Sequence, residues 1–289
     1  MRPSGFSYHR ADDLQHAYQL LAEFGEDGRP LAGGQSLVPM MNLRLARPNH
    51  LVDINRLPLN QFELKQDFLR IGALVRHHEY ADNPHIAAYF PAFQEAVHWI
   101  AHPTIRLHGS LGGSISHADP TAELPAMCVL YDAEVILGSL QGERRVKAQD
   151  FFHGAYVTAV EPGEMVIAVE FPLPKEQPSG AFSELGERLG DFAIASIGVA
   201  LTHKAGTIAT AAIVCGGAEM VATRGPAIEA QLVGKRLDQV DFEVLAAEFS
   251  GQFNPSGDFT ATTAYRKGLI GELTKRTLQR ACSKALEAA

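Results

Sequence analysis

The chain has 289 residues, of which 46% are hydrophobic and 20% charged, and its formal net charge is -8. That length buries roughly three-quarters of the surface the unfolded chain exposes, which is enough for a core divided among two or three small domains. An acidic chain without a long basic run is no nucleic-acid binder, no apolar run reaches the roughly 18 residues of a membrane span, and the separated Cys128, Cys215 and Cys282 form no zinc or iron–sulfur set.

Residues 11–25 read as an amphipathic helix. Leu14, Ala17, Leu20 and Leu21 recur at helical spacing, Asp12 and Asp13 stand at the end that favours negative charge, and Gly25 is placed to cap. Arg29 to Ala32 are a short strand entering the string Leu31-Ala32-Gly33-Gly34-Gln35-Ser36, and Ser36 to Leu43 suit a helix leaving it. Glycine lets consecutive backbone N–H groups turn toward one point, a concavity that takes an anion. Leu51 to Ile54 are a strand that closes a first lobe, residues 1–57.

A second lobe, 58–174, begins with an alternating strand over 68–73 and a helix from Ile86 to Ile100. The string Gly109-Ser110-Leu111-Gly112-Gly113-Ser114 follows, then a helix over 122–130 and strands over 133–137 and 165–171. Pro172-Leu173-Pro174 breaks the chain, and Gln177-Pro178-Ser179-Gly180 extends the break. The third segment, 175–289, carries strands over 197–203 and 207–215 and helices over 242–249 and 262–288, with Gly216-Gly217 ending a strand. Two glycine strings in apolar settings point to a cofactor with two phosphates held between two lobes. His98 and His102 are four apart, the spacing of a metal pair, but lack a third ligand, and the three cysteines read as inert buried thiols. The N-terminal MRPSGFSYHR has neither the apolar run of a secretory signal nor a twin arginine, so a reducing, cytoplasmic setting is expected. No GxGxxG fingerprint for NAD follows a strand.

Four strings, taken in order, resemble one family: LAGGQSLVPMMNLRLARPNHLVDINRL, HPTIRLHGSLGGSISHADPTAELPAMCVLYDAEV, GERLGDFAIASIGVAL and TATTAYRKGLIGELTKRTL. The family is that of the FAD-binding medium subunits of molybdenum hydroxylases, which includes xanthine dehydrogenase and carbon monoxide dehydrogenase, and the resemblance covers essentially the whole chain. It implies an α+β fold. Two lobes clasp FAD as in the vanillyl-alcohol oxidase and PCMH-like flavoproteins, and a C-terminal domain combines an antiparallel three-stranded sheet with a helical bundle. It also implies a heterotrimer with a small subunit carrying [2Fe-2S] clusters and a large molybdopterin subunit, two such trimers forming a dimer. The large subunit hydroxylates the substrate, and electrons pass through the clusters to FAD and on to an external acceptor. This chain would then hold no metal and no residue of the hydroxylation chemistry, and its three cysteines are too few for the added cluster of the benzoyl-CoA type.

The resemblance assigns the first phosphate segment to Ala32, Gly33, Gly34, Gln35, Ser36 and Leu37, with Arg29 as a neutralising cation or else a solvated surface arginine. Ser110, Leu111, Gly112, Gly113 and Ser114 match the second segment, where relatives often carry Thr at the first position and Asn or Asp at the last. Asp119 and Glu123 are carboxylates for flavin or ribityl donors, or alternatively for a helix N-terminus, and His117 is a neighbour of the cofactor or a packed structural histidine. Ile167 matches an apolar position that meets the flavin through its backbone, and equally reads as a buried strand residue. Asp191 and Phe192 match a Gly-Asp-aromatic-Ala string whose ring shields the flavin; the alternative is a core contact. Where many relatives place a lysine that reaches the flavin, this chain has Glu184. Two other functions stay open. A self-contained FAD-dependent oxidoreductase would turn over a small molecule alone, and a structural subunit that has lost FAD would be colourless. The substrate enters the large subunit, and an N-heteroaromatic ring is the expectation.

Overall fold

The computed structural model describes residues 2–288. Its first lobe is a parallel three-stranded sheet with one helix on it. The elements are β1 (Ser7–Arg10), α1 (Leu14–Phe24), β2 (Gly28–Leu31), α2 (Leu37–Asn42) and β3 (His50–Asp53), with strand order β1-β3-β2. Helix α1 starts where the Asp13 side chain accepts from the His16 N–H at 2.8 Å, and it ends at Gly25. Its buried face, Ala17, Tyr18 and Leu21, joins Val52 and Ile54 in a small core.

The second lobe adds β4 (Phe62–Leu64), β5 (Phe68–Gly72), α3 (Pro84–Tyr89), α4 (Pro91–Val97), α5 (Pro103–His108), α6 (Leu111–His117), α7 (Glu123–Leu130), β6 (Glu134–Ser139), β7 (Gly142–Lys147), α8 (Ala148–Phe151), β8 (Phe152–Gly154), β9 (Val157–Thr158) and β10 (Met165–Pro172). Five of the strands form one sheet of order β4-β5-β10-β6-β7, and β8 pairs with β9. The central β10 is buried from Met165 to Phe171 because both faces are covered. Met165, Ile167 and Ala168 face the first-lobe core, while Val166, Val169 and Phe171 face the helices. Glu170 is the exception: only 3% exposed, it is ion-paired with Arg70 at 2.8 Å and with Arg145. The single helix expected from Ile86 to Ile100 is two, α3 and α4, broken at Phe90. Pro91 drives the residue before it out of helical conformation, and Phe90 has φ -133° and ψ 62°.

The third segment contains β11 (Gln177–Leu185), β12 (Ala195–Lys204), β13 (Thr207–Gly216), β14 (Thr223–Arg224), α9 (Pro226–Leu232), α10 (Phe242–Gly251) and α11 (Thr263–Glu287). The expected antiparallel sheet has four strands rather than three, in order β11-β12-β13-β14, the fourth being a two-residue edge. Residues 177–180, read as chain punctuation, instead open β11. Pro178 is accommodated because β11 is an edge strand and its missing N–H costs no ladder bond. Helix α11 buries Ile270, Leu278, Ala281 and Ala285 against this sheet and α10. Cys128, Cys215 and Cys282 are all buried and unpaired, as expected. Glu95 of α4 ties the segment to the second lobe. Its carboxylate accepts from the Phe182 N–H at 2.7 Å, from Arg280 at 2.8 Å and from Lys284.

Candidate functional site

The two glycine strings lie against each other. β2 ends at Leu31 and delivers Gly33 onto the carbonyl of His108, the last residue of α5; a Cβ on Gly33 would overlap that oxygen and lie 3.1 Å from the Cα of Gly109. Gly34 follows at φ +70°, a conformation that disfavours any side chain. The Gln35 amide folds back to donate to the Gly33 carbonyl at 2.9 Å. The N–H groups of Gly33, Gly34, Gln35 and Ser36 find no backbone acceptor among the described residues. Four adjacent free donors beside a position with no room for a side chain fit a phosphate of a dinucleotide cofactor. Leu37 begins the short α2 behind them.

The second string is built differently. Leu111 and Gly112 donate their N–H groups to Val75 and Ala73 at 3.1 and 2.8 Å, and Gly113 donates to the Ser110 hydroxyl at 3.3 Å. These bonds pin the string to the strand end beyond β5 rather than offering amides to a ligand. A Cβ at Gly112 would come within 2.6 Å of that of Ala73, so the glycine serves close packing. Within this string Gly113 is exposed and Ser114 half-buried.

A polar clamp that the sequence did not reveal joins the two strings. Arg76 donates to the His108 carbonyl at 2.6 Å and to the Asn55 side chain at 2.7 Å. The Asn55 amide in turn donates to the carbonyls of Leu31 and Ala32 at 3.2 and 3.0 Å. His77, next to Arg76, lies beneath Gly109; a Cβ on that glycine would meet the His77 ring at 2.5 Å. Arg76 and Asn55 are separated by 21 residues, and the only local hint was a polar residue just beyond each strand end.

The remaining sites divide by position. Arg29 sits at the far end of β2 from the first string and donates to the carbonyls of Glu26 and Gly28, both at 2.9 Å. Half-buried His117 packs against the Tyr156 ring with centroids 5.1 Å apart, and burial lowers its pKa against the opposing pull of Asp119. Asp119 accepts from the Thr121 N–H and hydroxyl at 2.9 and 2.7 Å and from the Tyr156 hydroxyl at 3.1 Å, so it anchors the turn before α7. Ile167 is the extra residue of a β-bulge in β10 and accepts from the Ala73 N–H at 2.9 Å. Asp191 and Phe192 lie on the loop between β11 and β12, where the Phe192 ring is 75% exposed and is therefore no core contact. Glu123 begins α7, which lies over that sheet, and its charge is felt at Glu184. His98 and His102 end α4 and begin α5, and no metal-holding cluster is found among the described residues.

His77 gives a pH test of this arrangement. Burial, then the charges of Arg76, Arg106 and His78, push its pKa down to about 3. A histidine that stays neutral when folded contributes stability above the unfolded value near 6.5, and that contribution is lost as pH falls, by up to about 1.4 kcal/mol per unit. Burial raises the carboxyl pKa values of Glu123 and Glu184, which act in the opposite direction, so the wild type alone does not isolate the effect. The stability gap between wild type and His77→Gln, measured by urea unfolding, narrows between about pH 6.5 and 5. A gap that stays constant across that range refutes the assignment.

Comparison with known proteins agrees with this geometry. Residues 4–174 match the FAD binding domain in molybdopterin dehydrogenase, and residues 180–281 match the CO dehydrogenase flavoprotein C-terminal domain. The chain is similar to the 6-hydroxypseudooxynicotine dehydrogenase complex subunit alpha of Paenarthrobacter nicotinovorans, at 37% identity over 99% of this chain and 97% of that one. It is similar to the carbon monoxide dehydrogenase medium chain of Afipia carboxidovorans, at 36% identity over 99% of both. Its fold superimposes on a chain of quinoline 2-oxidoreductase from Pseudomonas putida 86 with a TM-score of 0.93 and 32% identity, covering 99% of this chain and 100% of that one.

Proposed function

This chain belongs to the FAD-binding medium subunits of the molybdenum hydroxylases, and from that membership we propose that it is the electron outlet of such an enzyme. Electrons enter from the [2Fe-2S] clusters of a small subunit, reach FAD in the cleft between the glycine strings, and leave to an external acceptor. A large molybdopterin subunit does the hydroxylation, and two heterotrimers pair. The observation that carries the reading is the contact of Gly33 with the His108 carbonyl beside four free backbone donors. The division into 1–57, 58–174 and 175–289 is supported by three buried clusters that broadly follow it; the first also draws residues from the large sheet. We place the holoenzyme in the cytoplasm; no helix among the described residues is long and apolar enough to cross a membrane.

In the bound state the Gly33 to Leu37 segment takes the pyrophosphate, Glu123 accepts from donors of the flavin or ribityl chain, and Phe192 supplies a ring able to close over the flavin from its exposed loop. FAD supplies the exchange between one-electron and two-electron carriers. We extend the reading to an N-heteroaromatic substrate, which the names of the pseudooxynicotine and quinoline relatives support and that of the carbon monoxide relative does not. The deciding experiment is the absorption spectrum of the purified chain, with the cofactor released by heat and identified. Flavin bands and released FAD are expected, and a colourless chain that takes up no added FAD refutes the reading. Turnover of the native complex on N-heterocycles, an aldehyde and carbon monoxide then tests the substrate class.

A further inference from the structure

The corner where α7 meets the end of the four-stranded sheet holds two carboxyls, and among the described residues no cation is ion-paired to either. Glu184 is 5% exposed and pairs directly with Ser196 across β11 and β12, so the two side chains share a face. Ser196, 1% exposed, pairs in turn with Gly216, where a Cβ would come within 2.6 Å of the serine hydroxyl. The Glu184 Oε2 and the Ser196 Oγ are both buried without a hydrogen-bond partner. The N–H of Gly217 donates to the Pro120 carbonyl at 2.9 Å, which draws the turn before α7 onto this corner and places Glu123, the first residue of α7, above it.

Two other charged groups lie near the corner, and each has hydrogen-bond partners elsewhere. Asp119, in the turn, is held by Thr121 and Tyr156. Arg106, on α5, donates to the carbonyls of Ile100 and Ala101 at 2.8 and 3.0 Å. Burial raises the pKa of Glu184, and the Glu123 charge raises it further. Burial also raises Glu123; Asp119 adds to the rise and Arg106 opposes it. Two crowded carboxyls with no cation paired directly to either resist ionising together, and they titrate as a pair. The corner also adjoins the cofactor cleft. Arg106 lies on the helix that runs into the second glycine string, and its charge is felt both at Glu123 and at His77 beneath that string. The loop following Glu184 rests on Ala101 and His102 at the head of the same helix.

We propose that Glu123 and Glu184 form a proton-loading site for the flavin, holding one proton while it is oxidised and taking a second from solvent when it is reduced. The proposal rests on the FAD reading above. Gain of two electrons and one proton leaves a flavin with one more negative charge. The second proton leaves a solvent hydronium or water and forms an O–H bond on the ionised carboxylate of the pair, so the corner and cofactor together gain no net charge. In the enzyme the electrons come from a reduced iron–sulfur centre. Passing them on to the acceptor returns both protons to solvent.

The test is the midpoint potential of FAD bound to the full-length chain, measured against pH by spectroelectrochemistry at about pH 8, above the range of a solvated carboxyl. Each proton taken up with a two-electron couple moves the potential by about 30 mV per tenfold change in proton concentration. The wild type is expected near twice that slope, about 60 mV per pH unit. The double variant Glu123→Gln/Glu184→Gln, which leaves no carboxyl in the corner to load, is expected near about 30 mV per pH unit. A wild-type slope of one proton overturns the proposal whether or not the variant folds. A slope of two protons in the wild type and the double variant alike also overturns it, because the second proton then resides elsewhere. A chain that binds no flavin is a separate outcome, which removes the FAD reading and with it the partner of the pair.

Discussion

Gly33→Val lowers FAD affinity by about 100-fold or more, the equivalent of roughly 3 kcal/mol of binding, while the chain still folds. The added Cβ would overlap the His108 carbonyl oxygen and press on the Cα of Gly109. Both are backbone atoms pinned by other bonds. The His108 carbonyl is held by Arg76, and the Gly109 N–H donates to Ile105 at 2.7 Å. Neither yields as the end of a flexible side chain would, so the strings must part. Overpacking of this kind costs about 1–3 kcal/mol of stability, which a domain of ordinary stability survives. Gly34→Ala is the control. It forces a side chain into a left-handed conformation, at about 1–2 kcal/mol, but meets mainly the Val38 side chain at 3.1 Å, which can rotate. FAD affinity measured by flavin fluorescence quenching is expected to rank wild type, Gly34→Ala, Gly33→Val. Equal affinity in wild type and Gly33→Val would show that the apposition of the strings does not hold the cofactor.

The contrast between these two glycines shows what the sequence could and could not say. A Gly-Gly pair after an apolar strand marks a tight turn and a place for an anion, and α1, β3, β10 and α11 were all legible from periodicity. That Gly33 abuts His108 was not legible, because the contact joins residues whose separation is set by the packing of two lobes. The same holds for the bulge at Ile167, which depends on register between β10 and β6, and for strand β11, where local turn residues yielded to pairing with β12. The two strings looked alike, yet one leaves its amides free and the other spends them on Ala73, Val75 and Ser110. Only the fold decides where a backbone donor goes. Glu184 was visible as a departure from the family, but its pairing with Glu123 came from the docking of α7 on the sheet.

The clamp is the part of the site least visible in sequence, and it carries the second large effect. Arg76→Ala removes two charge-assisted hydrogen bonds, to the His108 carbonyl and to Asn55, and frees Asn55 from its hold on Leu31 and Ala32. Such bonds contribute about 1.5–3 kcal/mol each when buried. Arg76 is half-buried, so a loss of about 2 kcal/mol of stability is expected, along with a drop in FAD affinity of about tenfold as the strings lose register. Arg76→Lys is not conservative here, because a single ammonium lacks the planar fork that reaches the carbonyl and the amide oxygen together. The backbone at this position stays in place in either variant, since the Glu79 carboxylate accepts from the Arg76 N–H at 2.6 Å, so the loss reports the guanidinium alone. A double-mutant cycle with Asn55→Ala, read by urea unfolding with and without FAD, is expected to show coupling of about 0.5–3 kcal/mol. Additive losses would mean that Arg76 acts on the His108 carbonyl only and that the strand-end carbonyls hold the first string without it. Coupling that grows when FAD is added would mean that the cofactor and the clamp close the same seam.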